Sequence, residues 1–434
     1  MTTNTKSKST CKVAVVGGGI SGLACAQQLS TDGRFDVTVY DTGRLRPGGR
    51  CASRQPGDVP KEQDPQTPLL SRFRFDHAAQ LIAQPSPDMF PAFSNQVDQW
   101  LSQKILQKFP PNSVCTIQKN GKPRPIAQTP FYHATNGMAS LATTLAKNGR
   151  FHLEQDVWVS PSSGVQFQKN TGKWKLQAKG KTLGYYDQLI IAHNGKCADR
   201  IMSNTPAKDL HRLLRVNFAP TVPAHGGDKM TLNSLYSLTI LLPKGSALSQ
   251  ALPEPFICGF SNHPQLRMIS CQTRKYTSSE PYEVWNILSS AKFAKAYKAP
   301  QEFLPPETVQ EVTQLLLQAV QESLNVVDPI QPLESRVQLW GAAVPLNTWS
   351  KPFLWDQQYQ VGVCGDWLVE PSIAGAWTSG TALANHLLST GSSNAPPTFG
   401  VDGNFQRSES SSRLGLAALP AVPGQGNPQP SPNR

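Results

Sequence analysis

The segment VAVVGGGISGLACAQQLSTDGRFDVTVYD, residues 13–41, constrains the fold of this chain more than any other stretch. A short β-branched run is followed by Gly17, Gly19 and Gly22 at GxGxxG spacing. In such a motif the first glycine permits a tight turn, the second lets the backbone approach a pyrophosphate, and the third lets the helix pack close to its strand. We expect a helix over residues 20–29, with its N-terminal N–H groups directed at the phosphates.

An acid follows at the distance that a dinucleotide site requires. The second strand, DVTVY, ends at Asp41, and an acid about 20 residues beyond the glycines takes the ribose hydroxyls in such sites. Strand, glycine turn, helix, strand and acid in this order predict a dinucleotide site, for which the alternative is an ordinary glycine-rich turn. The unit leaves the dinucleotide open, because flavin and nicotinamide proteins share it.

The residues that follow Asp41 narrow the choice of dinucleotide. The sequence TGRLRPGGRCASR follows Asp41 and places Gly48 and Gly49 immediately before Arg50. Two glycines permit close backbone approach, and a guanidinium fork suits bidentate contact with phosphate; an exposed basic turn is the alternative. With this motif the sequence resembles the flavin amine oxidase superfamily, whose members carry a GGR-type motif shortly after the ribose acid.

The resemblance is strongest to the renalase-like branch of this FAD-dependent superfamily, and within it to plant and algal NAD(P)/FAD-dependent oxidoreductases. Five further stretches carry it: FDHAAQ at 75–80, NGMASLATTLA at 136–146, YDQLIIAHNGKCADRIM at 186–202, RVQLWGAAVP at 336–345, and VGVCGDWLVEPSIAGAWTSGTALANHLL at 361–388. It implies a bound FAD. No cysteine stands within SIAGA, where some amine oxidases attach the flavin, so we expect the FAD to be non-covalent.

The last of these stretches combines an apolar strand, Gly365-Asp366, and a segment of small residues that opens a helix. The resemblance implies that Asp366 binds the ribityl-pyrophosphate region of FAD, although an ordinary helix N-cap has the same local sequence. A helix start at this place would stabilise the negative charge of reduced flavin. The predicted cofactor-binding residues are Gly17, Gly19, Ser21, Gly22, Asp41, Arg44, Gly48, Gly49, Arg50, Gln80, Val157, Asp366, Gly375 and Ala376.

Two departures from the family pattern concern the flavin face. Ala78 replaces the glycine of FDHGAQ, and Ala374 stands where the family commonly has a glutamate. We expect the fold and FAD binding to survive both changes, whereas the use of the family's substrate is in doubt. No catalytic residue is predicted, because the isoalloxazine ring accepts the hydride. Structural roles account for His77, Trp340 and His193 at least as well as catalytic ones.

The predicted fold class is α/β: a two-dinucleotide-binding, Rossmann-like FAD domain with an inserted α+β substrate domain. A length of 434 residues exceeds what one hydrophobic core usually serves. We assign the FAD domain to residues 11–80, 131–200 and 333–390 and the substrate domain to 81–130 and 201–332. Residues 1–10 and the Pro-, Gly- and Ser-rich residues 391–434 are predicted to be disordered and dispensable.

Periodicity predicts three internal features. Apolar residues at three- and four-residue spacing predict a helix over 306–324. Alternation followed by a continuous apolar run predicts a hairpin and a buried strand over 173–193. The proline-rich stretch 55–70 shows no period, so we expect an exposed loop there.

Composition excludes several classes of function. The formal net charge is +12, but Lys and Arg are spread along the chain without a basic run, so no nucleic-acid partner is expected. The eight cysteines never form CxxC, which supports neither a zinc site nor a disulfide scaffold and favours a reducing compartment. No apolar run reaches the roughly 18 residues that cross a bilayer. We expect a cytoplasmic protein, with the plastid stroma as the alternative.

The predicted function is that of an FAD-dependent oxidoreductase that accepts a hydride from a small reduced donor and is reoxidised by oxygen or another acceptor. The renalase resemblance implies a dihydronicotinamide-type dinucleotide as donor, and the wider superfamily an amine or a polyene. One alternative is an NADP-dependent reductase in which Arg44 or Arg46 takes a 2′-phosphate, against which Asp41 argues by like-charge repulsion. The other is a flavin-loaded binding or assembly protein without turnover.

Overall fold

Helices and strands cover most of the chain in a computed structural model that describes residues 10–58, 67–126, 130–160, 162–389 and 398–408. The α-helices are α1 (Ile20–Leu29), α2 (Pro91–Ser102), α3 (Ala139–Asn148), α4 (Lys196–Ser203), α5 (Lys208–Leu214), α6 (Ala247–Ala251), α7 (Gln272–Lys275), α8 (Ala291–Ala296), α9 (Pro306–Leu324) and α10 (Ile373–Ser389). Short 3-10 helices cover Gly49–Cys51, Leu70–Arg72 and Asp366–Leu368.

The strands are β1 (Cys11–Val16), β2 (Phe35–Tyr40), β3 (Ser53–Arg54), β4 (Phe75–Asp76), β5 (Ile82–Ala83), β6 (Leu106–Lys108), β7 (Val114–Ile117), β8 (Pro123–Pro125), β9 (Phe131–Ala134), β10 (His152–Glu154), β11 (Val165–Gln168), β12 (Lys173–Ala178), β13 (Lys181–Tyr186), β14 (Gln188–Ile191), β15 (Val216–Phe218), β16 (Met230–Pro243), β17 (Ile257–Phe260), β18 (Leu266–Cys271), β19 (Tyr282–Ser289), β20 (Glu334–Pro345), β21 (Asn347–Trp349), β22 (Leu354–Asp356), β23 (Val361–Val363), β24 (Thr398–Phe399) and β25 (Phe405–Arg407). The fold class is α/β as predicted, and α1, α9, the hairpin β12–β13 and the strand β14 occupy their predicted positions.

The first sheet carries the glycine-rich turn. Its strand order within the described residues is β10-β2-β1-β14-β23-β22-β24, and the strands from β10 to β23 run parallel. β14 lies between β1 and β23, and its Leu189 pairs with Ala14 on one side and Val361 on the other. The loops after β1, β2, β14 and β23 therefore leave the sheet from the same edge.

Both faces of this sheet are buried, which explains the continuous apolar run in β1. Val13 and Val15 pack with α1 in one core, whereas Ala14 and Val16 belong to the core on the opposite face. A central parallel strand covered on both sides has this composition.

Glycines bring α1 against its strand and against α10. A Cβ added at Gly22 would lie 2.0 Å from the carbonyl oxygen of Gly17, and one at Gly380 would lie 2.1 Å from that of Ser21. Neither position can hold a larger residue without moving backbone. The first and last long elements of the described chain are thus packed directly on each other.

The second sheet is mainly antiparallel. Its order within the described residues is β15-β16-β19-β18-β17-β7-β8, with β20 also paired to β16. One face packs on α9, which buries Leu316 and Val320 against Ile240 and Ile287. On the opposite face Leu288 packs with Leu81, which lies between β4 and β5.

The division between the two sheets differs from the predicted domains at three places. β20, assigned to the FAD domain, pairs with β16 of the second sheet. α2, assigned to the substrate domain, buries Phe93 and Trp100 in the core of the first sheet. α5 and the last residues of α4, also assigned to the substrate domain, bury Leu213 and Met202 in the core on the other face of the first sheet. An amphipathic pattern shows that an element has a partner and does not show which partner.

The prediction that residues 391–434 are disordered is wrong for residues 398–408. β24 pairs with β22 at the edge of the first sheet, and β25 pairs with β21. Phe405 is buried, with its ring centroid 4.8 Å from that of Trp349 and 6.3 Å from that of Trp367. This short apolar anchor offsets the ordering entropy of its Gly-rich surroundings. Residues 1–9, 390–397 and 409–434 lie outside the described residues, as does 59–66 of the predicted loop.

We expect a shortened chain that ends at Ser408 to have the same free energy of unfolding as the full chain. A chain that ends at Ser389 should have a lower one. Removal of a buried phenylalanine side chain alone costs about 3–5 kcal/mol. Urea unfolding of the three chains measures the difference. Equal midpoints for the two shortened chains would contradict the anchoring role of Phe405.

Candidate functional site

A cavity of about 400 Å³ lies at the edge where the parallel strands of the first sheet end. It is lined by the loops after β1, β2, β14 and β23 and, from the second sheet, by side chains that include Leu235, Leu288 and Trp340. Ligand cavities in proteins commonly have volumes of about 300–1,000 Å³. Both sheets therefore contribute to one site of ligand-binding size.

The glycine turn leaves open space at the N-terminus of α1. Gly17 adopts a φ of +118°, and the N–H of Gly18 donates to Oδ2 of Asp41 at 2.8 Å. A Cβ at Gly18 would lie 2.7 Å from that carboxyl group, whereas one at Gly19 would meet no atom of the described residues within 4 Å. Gly19 faces the cavity, which is the arrangement that close approach of a pyrophosphate requires.

Two backbone donors orient the buried carboxylate of Asp41. Oδ2 accepts the N–H of Gly18 at 2.8 Å, and Oδ1 accepts the N–H of Gly43 at 2.7 Å. Burial raises the pKa of Asp41, and the two backbone hydrogen bonds oppose this effect. Each carboxylate oxygen keeps a lone pair that can accept a further hydrogen bond. The carboxylate is therefore placed to receive the two hydroxyls of a ribose.

Arg50 and Asp366 form a bidentate ion pair across the cavity wall. Nη1 and Nη2 of Arg50 each lie 2.7 Å from an oxygen of Asp366, 316 residues away, and Nη1 also donates to the carbonyl of Ala343 at 3.0 Å. Burial alone would lower the pKa of Arg50, but Asp366 outweighs burial and the pKa is raised. Asp366 accepts one N–H from each terminal nitrogen of this fork. A guanidinium group has five N–H donors, so the predicted bidentate contact with phosphate stays a prediction.

The start of α10 faces the same cavity. Ser372, Ile373 and Ala376 line it, and Oγ of Ser372 accepts the N–H of Gly375 at 2.9 Å. Ser372, and not Asp366, thus caps the helix. A Cβ at Gly375 would lie 2.1 Å from the carbonyl oxygen of Glu370. The positive end of the helix dipole points toward the cavity, as the sequence predicted.

Two buried polar side-chain atoms beside the glycine turn lack a hydrogen-bond partner among the described residues. His193 and Asn194 follow β14 and line the cavity, and within the described residues Nδ1 of His193 and Nδ2 of Asn194 make no hydrogen bond. Burial lowers the pKa of His193 to about 4, so the ring is neutral near pH 7. Buried polar atoms are normally hydrogen-bonded. These two atoms therefore mark a place for a ligand with complementary groups.

The turn of residues 76–80 forms the wall between the two sheets, where Ala78 and Ala79 line the cavity. Nζ of Lys275, in α7, lies 2.6 Å from Oδ2 of Asp76 and 2.5 Å from the carbonyl oxygen of Gln80. Neither side chain of the Asp76–Lys275 pair is exposed, at 0% each. One ammonium group thus holds both ends of the turn.

Further donors surround the carboxylate of Asp76. Oδ1 accepts the hydroxyl of Ser53 at 2.5 Å and the N–H of Met138 at 2.9 Å, and Oδ2 accepts the hydroxyl of Tyr276. Burial alone would raise the pKa of Asp76, but Lys275 and the hydroxyl donors outweigh it and the pKa is lowered. The carboxyl group is therefore ionised inside the protein.

The amide of Gln80 belongs to the same network. Its Nε2 donates to the carbonyl of Asp76 at 2.8 Å, and its Oε1 accepts from Nε2 of Gln272 at 2.9 Å. Gln80 lines the cavity, and these bonds hold its amide group in place; its contact with the cofactor stays a prediction.

Most of the predicted cofactor-binding residues meet at the cavity. Those that line it are Gly17, Gly19, Ser21, Asp41, Gly48, Gly49, Arg50, Gln80, Val157, Asp366 and Ala376. Gly22 and Gly375 instead allow backbone packing, and Arg44 is exposed outside the lining. His77 contacts Gln338, with Nδ1 at 2.6 Å from Oε1, and burial lowers its pKa to about 4.

Several residues of the site were not predicted from sequence. Lys275 carries no local signal, because Asp76 lies 199 residues before it. Asn194 directly follows the predicted buried strand, so its position after a parallel strand was a usable signal. Leu235 and Leu288 are ordinary alternating residues of long strands, and nothing in their sequence context distinguishes them from core residues.

Two other classes of feature were sought in the described part of the chain. It holds no group of three or more His, Cys, Asp or Glu side chains that could bind a metal ion. None of its helices is long and apolar enough to cross a membrane.

Comparison with known proteins identifies the N-terminal region and the fold. The family described as NAD(P)-binding Rossmann-like domain matches residues 15–96. Reduced UDP-galactopyranose mutase is similar with a TM-score of 0.55 at 10% identity, over 88% of this chain and 94% of that one. A CLA-producing fatty acid isomerase from P. acnes is similar with a TM-score of 0.54 at 10% identity, over 88% of this chain and 99% of that one. Wild-type putrescine oxidase bound to putrescine is similar with a TM-score of 0.52 at 11% identity, over 88% of this chain and 99% of that one.

At these identities the likeness concerns the fold. Residues 15–96 are therefore similar to the NAD(P)-binding Rossmann-like family, and the chain shares its fold with these proteins over most of its length.

We expect Lys275→Met to destabilise the protein by about 3–5 kcal/mol, because it leaves the carboxylate of Asp76 buried without its counter-charge. Urea unfolding measures this change. The matched control is Lys173→Met, whose half-exposed ion pair with Asp187 is worth about 0–1 kcal/mol. The double variant Asp76→Asn/Lys275→Met should lose less than Lys275→Met alone. Equal effects of the two lysine substitutions would refute the role of the buried pair.

Proposed function

We propose that this chain is an FAD-dependent oxidoreductase that binds its FAD without a covalent bond. One observation carries the proposal: the glycine turn and Asp41 meet the Asp366 loop and the start of α10 at one edge of one parallel sheet. A mononucleotide would need only the first half of this arrangement. A cavity that continues to a second helix start suits a long dinucleotide with a charged centre.

The residues present match the parts of FAD. Asp41 would accept the ribose hydroxyls, and the open space at Gly19 would admit the pyrophosphate. The unpaired atoms of His193 and Asn194 would find partners on the nucleotide, while Asp366 would face the ribityl-pyrophosphate region. Hydrogen bonds from other residues already fix the orientation of the two carboxylates, Asp41 and Asp366.

Non-covalent binding is supported by the state of a buried thiol in the cavity wall. Cys51 lines the cavity, and burial raises its pKa to about 12. A thiol in this state is a poor nucleophile at neutral pH, since the thiolate is the reactive form. We therefore propose that heat or acid releases the flavin.

Bound FAD would accept a hydride from a small reduced donor and would return the electrons to oxygen or another acceptor. The start of α10 directs its N–H groups and dipole toward the cavity, where they would stabilise negative charge without reorganisation. The Asp76–Lys275 network would hold the wall of residues 78–80 at a fixed position. The renalase resemblance favours a dihydronicotinamide-type dinucleotide as donor, and the resemblance to the wider superfamily makes an amine the second choice.

The matched Rossmann-like family also favours a second candidate, an NADP-dependent reductase. Arg46, one of the two side chains predicted to take a 2′-phosphate, is already bound to Asp58 through both terminal nitrogens, at 2.7 and 2.5 Å. Asp41 would place a negative charge beside such a phosphate. FAD is therefore the cofactor that we propose.

We expect the purified protein to show the visible bands of oxidised flavin, and Asp41→Ala to lower FAD occupancy about tenfold or more. Loss of a hydrogen bond to a charged group costs about 1.5–3 kcal/mol, and about 1.4 kcal/mol corresponds to tenfold in affinity. Absorbance after dilution and gel filtration measures occupancy. Asp88→Ala, an exposed acid before α2, is the control. A colourless protein that FAD cannot reconstitute would overturn the proposal.

Turnover is tested by mixing the flavin-loaded protein with reduced donors in the absence of air. We expect a dihydronicotinamide dinucleotide, an isomer of it, or an amine to bleach the visible bands, and air to restore them, because α10 stabilises added negative charge. If a broad panel of donors leaves the flavin oxidised for hours while dithionite reduces it, the chain is a flavin-loaded binder.

A further inference from the structure

The second sheet presents only uncharged side chains to the cavity. Leu235 on β16, Leu288 on β19, and Trp340 and Val344 on β20 line it, together with Leu81 from the adjoining segment. Leu235 lies directly opposite Trp340 in the β16–β20 pair. We call these five side chains the apolar roof.

The charged side chains of the cavity lie on its other walls and are already paired. Among the described lining residues they are Asp41, Arg50 and Asp366. Asp41 accepts two backbone N–H groups, and Arg50 and Asp366 neutralise each other. His193 adds no charge near pH 7, because burial lowers its pKa to about 4.

This distribution of charge selects among possible donors. An ammonium, carboxylate or phosphate group placed against the apolar roof would lose its hydration without gaining a counter-charge. An uncharged ring or chain would bury apolar area at no such cost. This desolvation cost applies to both signs of charge. It therefore separates neutral donors from protonated amines and from anions alike.

We infer that the donor site takes a neutral, apolar reacting group and discriminates against cationic and anionic groups. The inference rests on the proposed function, because FAD held along the glycine turn and α10 leaves the apolar roof as the surface for the donor. A hydroquinone, a polyene or an N-alkyl dihydronicotinamide ring meets this condition. The phosphates of a dinucleotide donor would have to remain outside the roof, and an amine donor would have to enter in its uncharged form.

Three probes of similar size and different charge test the inference: benzyl alcohol, benzylamine and benzoate. Each is titrated into the flavin-loaded protein near neutral pH while the visible bands of the flavin are recorded. We expect benzyl alcohol to bind with a Kd at least about tenfold below those of the charged probes. Equal or tighter binding of benzylamine or benzoate, or no response to any probe, would overturn the inference. Absence of bound flavin would instead overturn the proposed function.

Placing a charge in the roof should reverse the preference. In Trp340→Lys the half-buried indole gives way to an ammonium group, and benzoate should gain about tenfold over benzyl alcohol. Val344→Lys, at another half-buried position of the roof, serves if Trp340→Lys loses its flavin. Tyr185→Lys makes the same change on the exposed hairpin β12–β13, where Tyr185 is 51% exposed, and should leave the preference unchanged. An unchanged preference in both roof variants would show that the roof is not the donor site.

Discussion

The ion pair between Asp76 and Lys275 is the interaction on which the arrangement of the two sheets depends. Asp76 ends β4 and Lys275 ends α7, which follows β18 of the second sheet directly. Both side chains are completely removed from solvent. A buried pair adds little net stability, because desolvation of the two charges offsets their attraction. Its importance is that any displacement of one partner leaves the other charge unpaired, so the turn of residues 76–80 has one permitted position.

A second ion pair closes the site on the opposite side. Arg50 belongs to the loop after β2, and Asp366 to the loop after β23. Because β1, β2, β14 and β23 are parallel, these loops already emerge at one edge, and the pair needs only to fix their separation. The parallel strands bring these loops to one edge of the sheet, and the two ion pairs fix where the loop of Asp366 and the turn of residues 76–80 lie. The same pairing neutralises two of the three charged side chains among the described residues that line the cavity, Arg50 and Asp366, and leaves the carboxylate of Asp41 as the third.

Local features of the site were predictable from the sequence, and features that depend on distant contacts were not. The glycine turn, α1 and Asp41 follow from steric demands within about 30 residues, and each of these demands selects a residue type. The paired state of Arg50 depends on a residue 316 positions away. A guanidinium group satisfies a phosphate and a carboxylate equally well, so its sequence context could not decide between them.

The same reasoning explains two of the differences between the predicted and the observed structure. β20 alternates like any strand, and its membership of the second sheet is decided by pairing with β16. Phe405 belongs to a segment whose composition is that of a disordered chain. Its side chain is nevertheless buried between two buried tryptophans. Average composition describes a segment poorly when one side chain provides most of its buried area.

The position of Phe405 gives the C-terminal segment a relation to the cavity. Its ring packs on Trp367, the residue that follows Asp366, so the segment supports from behind the loop whose carboxylate faces the site. Such coupling is reciprocal. A ligand that steadies Asp366 should therefore also retain residues 398–408 on the sheet, and detachment of these residues should weaken ligand binding. We expect protease susceptibility at residues 398–408 to fall when the site is occupied, although those residues do not line it.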